Sequence, residues 1–105
     1  MITVNILYPN KQGAKFDRDY YLNKHMPMSQ RVFGDALRGV NVEFGVNGGP
    51  PDSAPPYVAT CHFRFDTLDA FYSAFMPNAA MLQGDIANYT DVEPVIQISE
   101  VELSR

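Results

Sequence analysis

Hydrophobic and polar residues alternate along four segments of the chain, residues 2–8, 40–46, 57–65 and 92–103. Successive side chains of a strand point to opposite faces of a sheet, so this alternation predicts four β-strands, each with one buried face. The third segment shows the pattern most clearly, with apolar and aromatic residues on one face and mostly polar residues on the other. The two sets are Tyr57, Ala59, Cys61, Phe63 and Phe65, and Val58, Thr60, His62 and Arg64.

Helical periodicity predicts a first helix that begins after Asp17. The Asp17 carboxylate can accept hydrogen bonds from backbone N–H groups of the first turn. Phe16 can pack on Tyr21 across the start of this helix. The residues expected on one face are spaced by four, three and four positions. They are Tyr21, His25, Met28 and Val32.

Pro27 lies inside this helical pattern. A proline has no backbone N–H and crowds the preceding turn, so we expect a kink or a restart near residues 25–26. The helix is predicted to end around Arg38, with Gly39 as its C-terminal stop.

A second helix is predicted after the third strand, with Asp66 or Thr67 capping its start. Apolar residues follow at helical spacing, but Pro77 and Gly84 interrupt them. The pattern therefore predicts either one long helix or two short ones. The segment between the second and third strands, residues 47–56, holds two glycines and four prolines, which predicts a loop.

The order of these elements is β-α-β-β-α-β, which predicts a single α+β, ferredoxin-like domain over residues 1–105 with a four-stranded antiparallel sheet. Right-handed crossovers place both helices on one face of the sheet and leave the other face open. In some registers, apolar residues of the second or fourth strand fall on this open face. They are Val42, Phe44 and Val46, or Ile96 and Ile98.

An exposed apolar sheet face favours association of two copies of the chain. A stable interface buries ~800 Å² per partner, which is a large gross gain from apolar surface. We therefore expect a homodimer through the sheet face. The alternative is a monomer with an open face of mixed polarity.

Composition indicates which binding partners and which cellular compartment to expect. The net charge is -4 and the sequence pI is about 4.9, which argues against nucleic acid and against an anionic membrane surface. The single cysteine, Cys61, excludes an intramolecular disulfide and favours a reducing compartment. Residues 1–8 lack the features of a signal peptide, and no apolar run approaches the ~20 residues of a membrane helix. We expect a cytoplasmic protein.

Three short segments resemble the EthD family, and together they extend over nearly the whole chain. The first contains Phe16, Asp17, Tyr20, Tyr21 and the run His25-Met26-Pro27-Met28. The second is the run Phe63-Arg64-Phe65-Asp66. The third contains Asp85, Ile86, Tyr89, Thr90, Asp91, Pro94 and Gln97.

The resemblance implies a dimeric α+β barrel, in which two sheets pack face to face with the helices outside. The family is named for a role in bacterial degradation of an alkyl ether. Its wider fold group includes cofactor-free monooxygenases, lactone isomerases and, more distantly, haem enzymes, so we expect no cofactor. One fold carries many activities, and the reaction must be argued from the site.

His25 is the first candidate for chemistry, because it lies where Pro27 frees a backbone carbonyl. An imidazole at the mouth of a pocket between helix and sheet can act as a general acid or base. A structural histidine that hydrogen-bonds the freed carbonyl is the alternative. Tyr21, one turn away, can donate a hydrogen bond to a substrate oxygen or serve as a core residue.

Four further residues are expected to bind the substrate: Tyr20, Met28, Phe63 and Tyr72. His62 and Arg64 share a strand face, where they can bind a substrate anion or make hydrogen bonds at a dimer interface or a strand end. The two histidines are 37 positions apart, without cysteine or carboxylate at ligand spacing, so we expect no metal site.

Two functions fit these features. The first is a cofactor-independent enzyme of small hydrophobic-compound catabolism, by proton transfer, isomerisation or oxygenation, with His25 as general acid or base and Tyr21 as hydrogen-bond donor. The second is a non-catalytic protein that binds a hydrophobic intermediate of a degradation pathway in the same cavity. A haem protein is disfavoured, because the chain length leaves little room for a haem pocket.

Overall fold

The computed structural model describes residues 1–105, which form one antiparallel sheet with helices on one side. The strands are β1 (Ile2–Pro9), β2 (Leu37–Phe44), β3 (Tyr57–Phe65) and β4 (Val95–Glu100), in the spatial order β2-β3-β1-β4. The predicted α+β, ferredoxin-like architecture with a four-stranded antiparallel sheet is confirmed. No helix is long and apolar enough to cross a membrane.

Strand register determines which apolar residues face the helices. Val4 pairs with Phe63 and with Ile98, and Ile6 pairs with Ile96. Directly paired residues of antiparallel strands point to the same face, and Val4 and Phe63 belong to the buried core. Ile96 and Ile98 therefore lie on the helix side of the sheet.

Val42 and Phe44 also lie on the helix side, since they pair with the buried residues Cys61 and Ala59. Val46 is exposed beyond the end of β2. The strands therefore do not adopt the register that would place the apolar residues of β2 or β4 on the open face. The apolar open face expected from the sequence is absent, and the homodimer itself stays a prediction.

The open face carries mostly polar side chains that hydrogen-bond to one another. The Asn5 side-chain amide donates to Oγ1 of Thr3 at 3.1 Å, and its carbonyl oxygen meets Nδ1 of His62 at 2.7 Å. Thr60 donates to Glu43 at 3.2 Å. These bonds satisfy polar groups across three strands without a covering layer.

The first helical region consists of α1 (Arg18–Tyr20), a π-helical turn (Tyr21–His25) and α2 (Met26–Phe33). Its predicted start is confirmed, because the Asp17 carboxylate accepts from the backbone N–H of Tyr20 at 3.0 Å. The ring of Phe16 packs edge-on against the ring of Tyr21, with centroids 5.1 Å apart, as expected.

The π-helical turn lies where the kink was predicted. The Met26 N–H bonds the carbonyl of Tyr21, five residues back, and Pro27 follows at the start of α2. A π-helical turn contains more residues than an α-helical turn. Every later side chain therefore points in a direction that is rotated from the one a regular α-helix predicts. Ser29 and Phe33 are buried after it, in place of the predicted pair, Met28 and Val32, which are half-buried.

Gly34 ends this helical region, and the predicted end at Arg38 is wrong. Gly34 has φ 52, a conformation that suits glycine, and its N–H bonds the carbonyl of Gln30. After a short 3₁₀ turn, Gly34–Ala36, the chain enters β2. Gly39 lies within that strand, where a Cβ atom would overlap the guanidinium of Arg64.

The second helical region is divided into α3 (Leu68–Phe75) and α4 (Ala79–Gly84), with a 3₁₀ turn, Met76–Asn78, around the proline. The sequence left one or two helices open, and the structure has two. Thr67 is the cap of α3, since its hydroxyl accepts from the Ala70 N–H at 3.1 Å.

A further 3₁₀ turn, Ile86–Asn88, follows α4 before the chain enters β4. The strand β4 is shorter than the predicted residues 92–103, since it begins only after Pro94, which has no N–H to donate.

Candidate functional site

A cavity of about 240 Å³ lies between the helices and the strands β1, β3 and β4. Fourteen of its 18 lining residues are hydrophobic. Its inner end is formed by buried side chains, Tyr8, Tyr21 and His25. Its outer end is lined by the exposed side chains Tyr72 and Ile96. An apolar cavity with a few polar groups at one end is typical of small-molecule sites.

His25 forms the main polar contact of the inner end. Its Nδ1 lies 2.8 Å from Oδ2 of Asp85, and the two side chains are only 10% and 14% exposed. The π-helical turn ends at His25, and Asp85 follows the last residue of α4. Two separate helical regions, 60 residues apart in sequence, thus bring the pair together.

Asp85 is held by two further hydrogen bonds. The Tyr20 hydroxyl donates to Oδ1 at 2.7 Å, and the Asn88 side-chain amide donates to the same oxygen at 2.9 Å. Burial acts to raise the pKa of Asp85, but the hydrogen bonds from Tyr20, Asn88 and His25 outweigh it and hold the pKa below its usual value. Asp85 is therefore ionised at neutral pH.

The ionised carboxylate fixes the tautomer of the imidazole. A carboxylate can only accept hydrogen bonds, so Nδ1 of His25 must carry the proton that it donates to Asp85. In the neutral ring, Nε2 is then an acceptor, and it makes no hydrogen bond within the protein. The ring stacks on Tyr21 at 5.7 Å and contacts Tyr89 at 4.8 Å between centroids, which restrains its orientation.

Two buried tyrosines, Tyr21 and Tyr89, contact the histidine, and Tyr8 packs against both of them. All three remain protonated. The hydroxyl groups of Tyr8 and Tyr89 lie 2.6 Å apart. Burial raises the pKa of Tyr8 to about 12, and burial likewise raises the pKa of Tyr21 and of Tyr89. Burial also raises the pKa of Cys61 to about 12, so its thiol lacks the thiolate character of a nucleophile.

The cavity brings together four of the six residues expected to form the site. His25, Tyr21, Phe63 and Tyr72 all line it, whereas Tyr20 and Met28 do not.

Tyr20 precedes Tyr21 on the helix, so its side chain projects in a different direction and reaches Asp85. Met28 is rotated away from the cavity because the π-helical turn changes the phase of α2.

Sequence reasoning did not assign roles to Asp85, Tyr8 and Ser29 at this site. Tyr8 alternates with Ile6 and Val4, and this pattern could have placed it on the inner face. The Ser29 hydroxyl donates to the His25 carbonyl at 3.0 Å, and the imidazole itself bonds Asp85 instead of a backbone carbonyl. No periodicity of the sequence links Asp85 to His25.

His62 and Arg64 lie on the open face of the sheet, away from the cavity. Nδ1 of His62 bonds Asn5, and its Nε2 lies 3.6 Å from Oε1 of Glu43. Their surroundings are hydrogen bonds within the sheet and not a pocket for a substrate anion. No group of three or more His, Cys, Asp or Glu side chains converges as a metal site would require.

The sheet order, the helices on one face and the cavity between them define a ferredoxin-like α+β domain that can enclose a small molecule. The chain belongs to the EthD family, because its residues 11–93 match the model of the EthD domain. No curated protein matches the chain significantly.

Solved structures agree with this assignment. An EthD-like protein from Ralstonia eutropha JMP134 is 45% identical with a TM-score of 0.94, over 99% of this chain and 94% of that one. An ethyl tert-butyl ether d (EthD) family protein from Bacillus halodurans C-125 is 16% identical with a TM-score of 0.67, over 96% and 98% of the two chains. HapK from Hahella chejuensis is 12% identical with a TM-score of 0.57, over 100% and 97%. The last two show the fold alone.

Proposed function

We propose that this protein is a cofactor-independent enzyme that transfers a proton on a small hydrophobic compound, with His25 as the general acid or base. The observation that carries the proposal is the His25–Asp85 pair at the inner end of an apolar cavity. A buried carboxylate that holds one imidazole nitrogen leaves the other nitrogen free to exchange a proton with a ligand.

Each group of the inner end has a part in this reaction. Nε2 of His25 takes a proton from the bound compound, and the Asp85 carboxylate stabilises the imidazolium that results. The Tyr21 hydroxyl, which stays protonated, donates a hydrogen bond to the oxygen on which negative charge develops. Return of the proton to another atom of the compound gives an isomer.

The apolar walls of the cavity strengthen these interactions. They exclude water from the bound compound, and a charge interaction is stronger in the lower dielectric that results. The histidine and the tyrosine stack on each other, so no reorganisation is needed when charge appears.

Deuterium exchange tests the proposal without knowledge of the natural substrate. Small apolar hydroxyketones that enolise are incubated with the protein in D₂O, and deuterium incorporation is measured by mass spectrometry. Wild-type protein should accelerate exchange, and His25→Ala should lose a factor of ~10²–10⁴ of that acceleration. Arg31→Ala, which changes an exposed side chain of α2 outside the cavity, is the control and should exchange like wild type. Equal exchange by wild type and His25→Ala would contradict the proposal.

A non-catalytic binding protein is the second candidate. The hydrophobic character of 14 of the 18 lining residues favours it, because burial of apolar surface alone can retain a ligand. Under this alternative the protein binds apolar hydroxyketones in the cavity, and deuterium incorporation does not exceed that of buffer.

We also propose that the protein is a homodimer in which the open faces of two sheets meet. The helices cover only one face, and half-buried polar side chains such as Asn5 and His62 form a network on the other. A partner that supplies further hydrogen bonds would complete that network. Sedimentation velocity at dilute concentration should give twice the mass of one chain, and a stable single chain would contradict the dimer.

The proposal extends to the cellular role of the protein. We place it in the cytoplasm, in the breakdown of small hydrophobic compounds such as ethers. The free, buried thiol of Cys61 supports a reducing compartment. Loss of growth of a gene-deleted strain on an alkyl ether as carbon source tests the catabolic role, and unchanged growth would contradict ether breakdown.

A further inference from the structure

We propose that the natural ligand of the cavity is a neutral molecule with an apolar body of on the order of ten non-hydrogen atoms and one hydroxyl group, which points to His25. This inference rests on the proposed function of the same cavity and specifies its substrate class. Three properties of the cavity lead to it: its charge, the hydrogen-bonding state of its inner end, and its size.

The charge of the lining indicates a neutral ligand. No lysine, arginine, aspartate or glutamate is among the 18 residues that line the cavity. A carboxylate or phosphate would be buried without a cation, and Asp85 behind the imidazole would repel it. An ammonium group would likewise lack a carboxylate among the lining residues, since the Asp85 oxygens already accept three hydrogen bonds.

The inner end requires a hydrogen-bond donor on the ligand. Nδ1 of His25 is committed to Asp85, so the neutral ring offers only the acceptor Nε2. The Ser29 hydroxyl is committed to a backbone carbonyl and cannot donate to that nitrogen at the same time. A ligand without a donor would therefore leave Nε2 unpaired in an apolar site, which is unfavourable.

The same ligand group can also accept a hydrogen bond. Tyr21 lines the cavity beside the imidazole, and its buried phenol stays protonated, with the Tyr8 hydroxyl and the Cys61 thiol as its neighbours within the protein. The neighbouring hydroxyl groups of Tyr8 and Tyr89 are already paired with each other. A hydroxyl group donates through its hydrogen and accepts through its oxygen, so it satisfies both His25 and Tyr21.

The size of the cavity limits the rest of the molecule. A volume of about 240 Å³ corresponds to roughly eight water molecules at ~30 Å³ each. It is below the ~300–1,000 Å³ of pockets that take drug-sized ligands. With the hydroxyl at the inner end, the apolar body of the ligand lies among Phe71, Phe75 and Ile96 toward the outer end.

Three naphthalene probes of matched shape test this ligand class by isothermal titration calorimetry. 2-Naphthol can donate and accept, 2-methoxynaphthalene can accept only, and 2-naphthoate is an anion. We expect 2-naphthol to bind at least about tenfold more tightly than either of the others, because only it pairs with Nε2 without a buried charge. Equal or tighter binding of 2-methoxynaphthalene or 2-naphthoate would overturn the ligand class.

Two variants test whether His25 is responsible for the preference for 2-naphthol. His25→Phe keeps a ring but removes the acceptor, so the preference for 2-naphthol over 2-methoxynaphthalene should disappear. Arg31→Ala, exposed on α2 and outside the cavity, should retain the preference. A preference that persists in folded His25→Phe overturns the assignment of the hydroxyl to His25. If that variant does not fold, the wild-type series decides the ligand class.

The outcomes separate this inference from the proposed function. Exchange of deuterium with equal binding of all three probes overturns the hydroxyl inference and leaves the proton-transfer proposal standing. Preference for 2-naphthol without any exchange supports the ligand class and overturns the enzyme. Failure of all three probes to bind overturns the inference.

Discussion

The two histidines lie on opposite sides of the same sheet and meet very different surroundings. His25, on the helix side, is 10% exposed and pairs with Asp85, which is 14% exposed. His62, on the open side, is 29% exposed, and Glu43 beside it is 61% exposed. Both are imidazoles near a carboxylate, but only one borders a cavity.

The difference shows how surroundings assign different roles to one residue type. Around His25, the carboxylate, the stacked Tyr21 ring and the apolar walls fix one tautomer and leave one nitrogen facing the cavity. Around His62, both ring nitrogens face polar side chains of the sheet, Asn5 and Glu43. The helix side therefore holds the residues of the proposed reaction.

Replacement of the histidine's carboxylate should have the largest effect. In Asp85→Asn the new amide can donate to Nδ1 of His25, which would move the ring proton to Nε2 and block its role as acceptor. Exchange activity should fall by ~10²–10⁴-fold, as loss of the correct tautomer does in a Ser-His-Asp triad. Glu43→Gln is the matched change beside His62 and should leave activity within about twofold. Similar losses of exchange activity in both variants would show that Asp85 and Glu43 do not differ in their roles.

Side-chain packing should contribute more to the free energy of unfolding on the helix side of the sheet than on the open side. Phe33 lies with its centroid 5.1 Å from those of Phe63 and Phe65, so Phe33→Ala should destabilise the fold by about 3–5 kcal/mol. Leu7→Ala, at a half-buried position of the open face, should cost less, about 1 kcal/mol. Urea denaturation measures both values. A cost for Leu7→Ala that equals the cost for Phe33→Ala would contradict a difference in packing between the two faces of the sheet.

Acid should reveal the stabilisation that Asp85 provides. Its pKa is lower in the folded protein than its ordinary value of 3.8. The folded state therefore gains stability from its ionised form above the unfolded pKa, and loses that gain as the pH falls through the folded pKa. Below about pH 4, wild type should lose its stability advantage over Asp85→Asn, as measured by thermal unfolding at a series of pH values. A stability difference between wild type and Asp85→Asn that stays constant at every pH would contradict an ionised, hydrogen-bonded Asp85.

Removal of one support from Asp85 should have the smallest effect. Tyr20→Phe deletes the hydroxyl that donates to Oδ1 but leaves the bonds from Asn88 and His25. We expect kcat to fall roughly two- to tenfold with KM unchanged, since Tyr20 does not line the cavity. Tyr57→Phe, at the start of β3, is the control and should leave kcat unchanged. A change confined to KM would instead indicate contact of Tyr20 with the ligand.

Features set by neighbouring residues were predictable from the sequence. Asp17 was recognised as a helix cap and Thr67 was one of two candidates with Asp66, because a capping side chain bonds N–H groups only a few residues ahead. The third strand was predicted with its observed bounds, Tyr57–Phe65, from its alternation alone. The resemblance to the EthD family then supplied the correct family.

Features that depend on backbone geometry or on distant contacts were not predictable. The helix was expected to end at Gly39 and ended at Gly34, since either glycine can stop a helix and only the folded chain shows which has positive φ. The π-helical turn rotated the buried face of the helix away from Met28. A sequence pattern with one constant helical period cannot predict this rotation. Asp85 became a partner of His25 only through packing of two helical regions.

The proton on the His25 ring can be located directly by nuclear magnetic resonance. Long-range proton–nitrogen correlation spectra of ¹⁵N-labelled protein, recorded at mildly alkaline pH, show which ring nitrogen carries the proton. We predict a proton on Nδ1 of His25, a bare Nε2, and a shift of that Nε2 signal, but not of the His62 signals, when 2-naphthol is added. A proton on Nε2 with a bare Nδ1 at His25, or a shift confined to His62, would contradict the account.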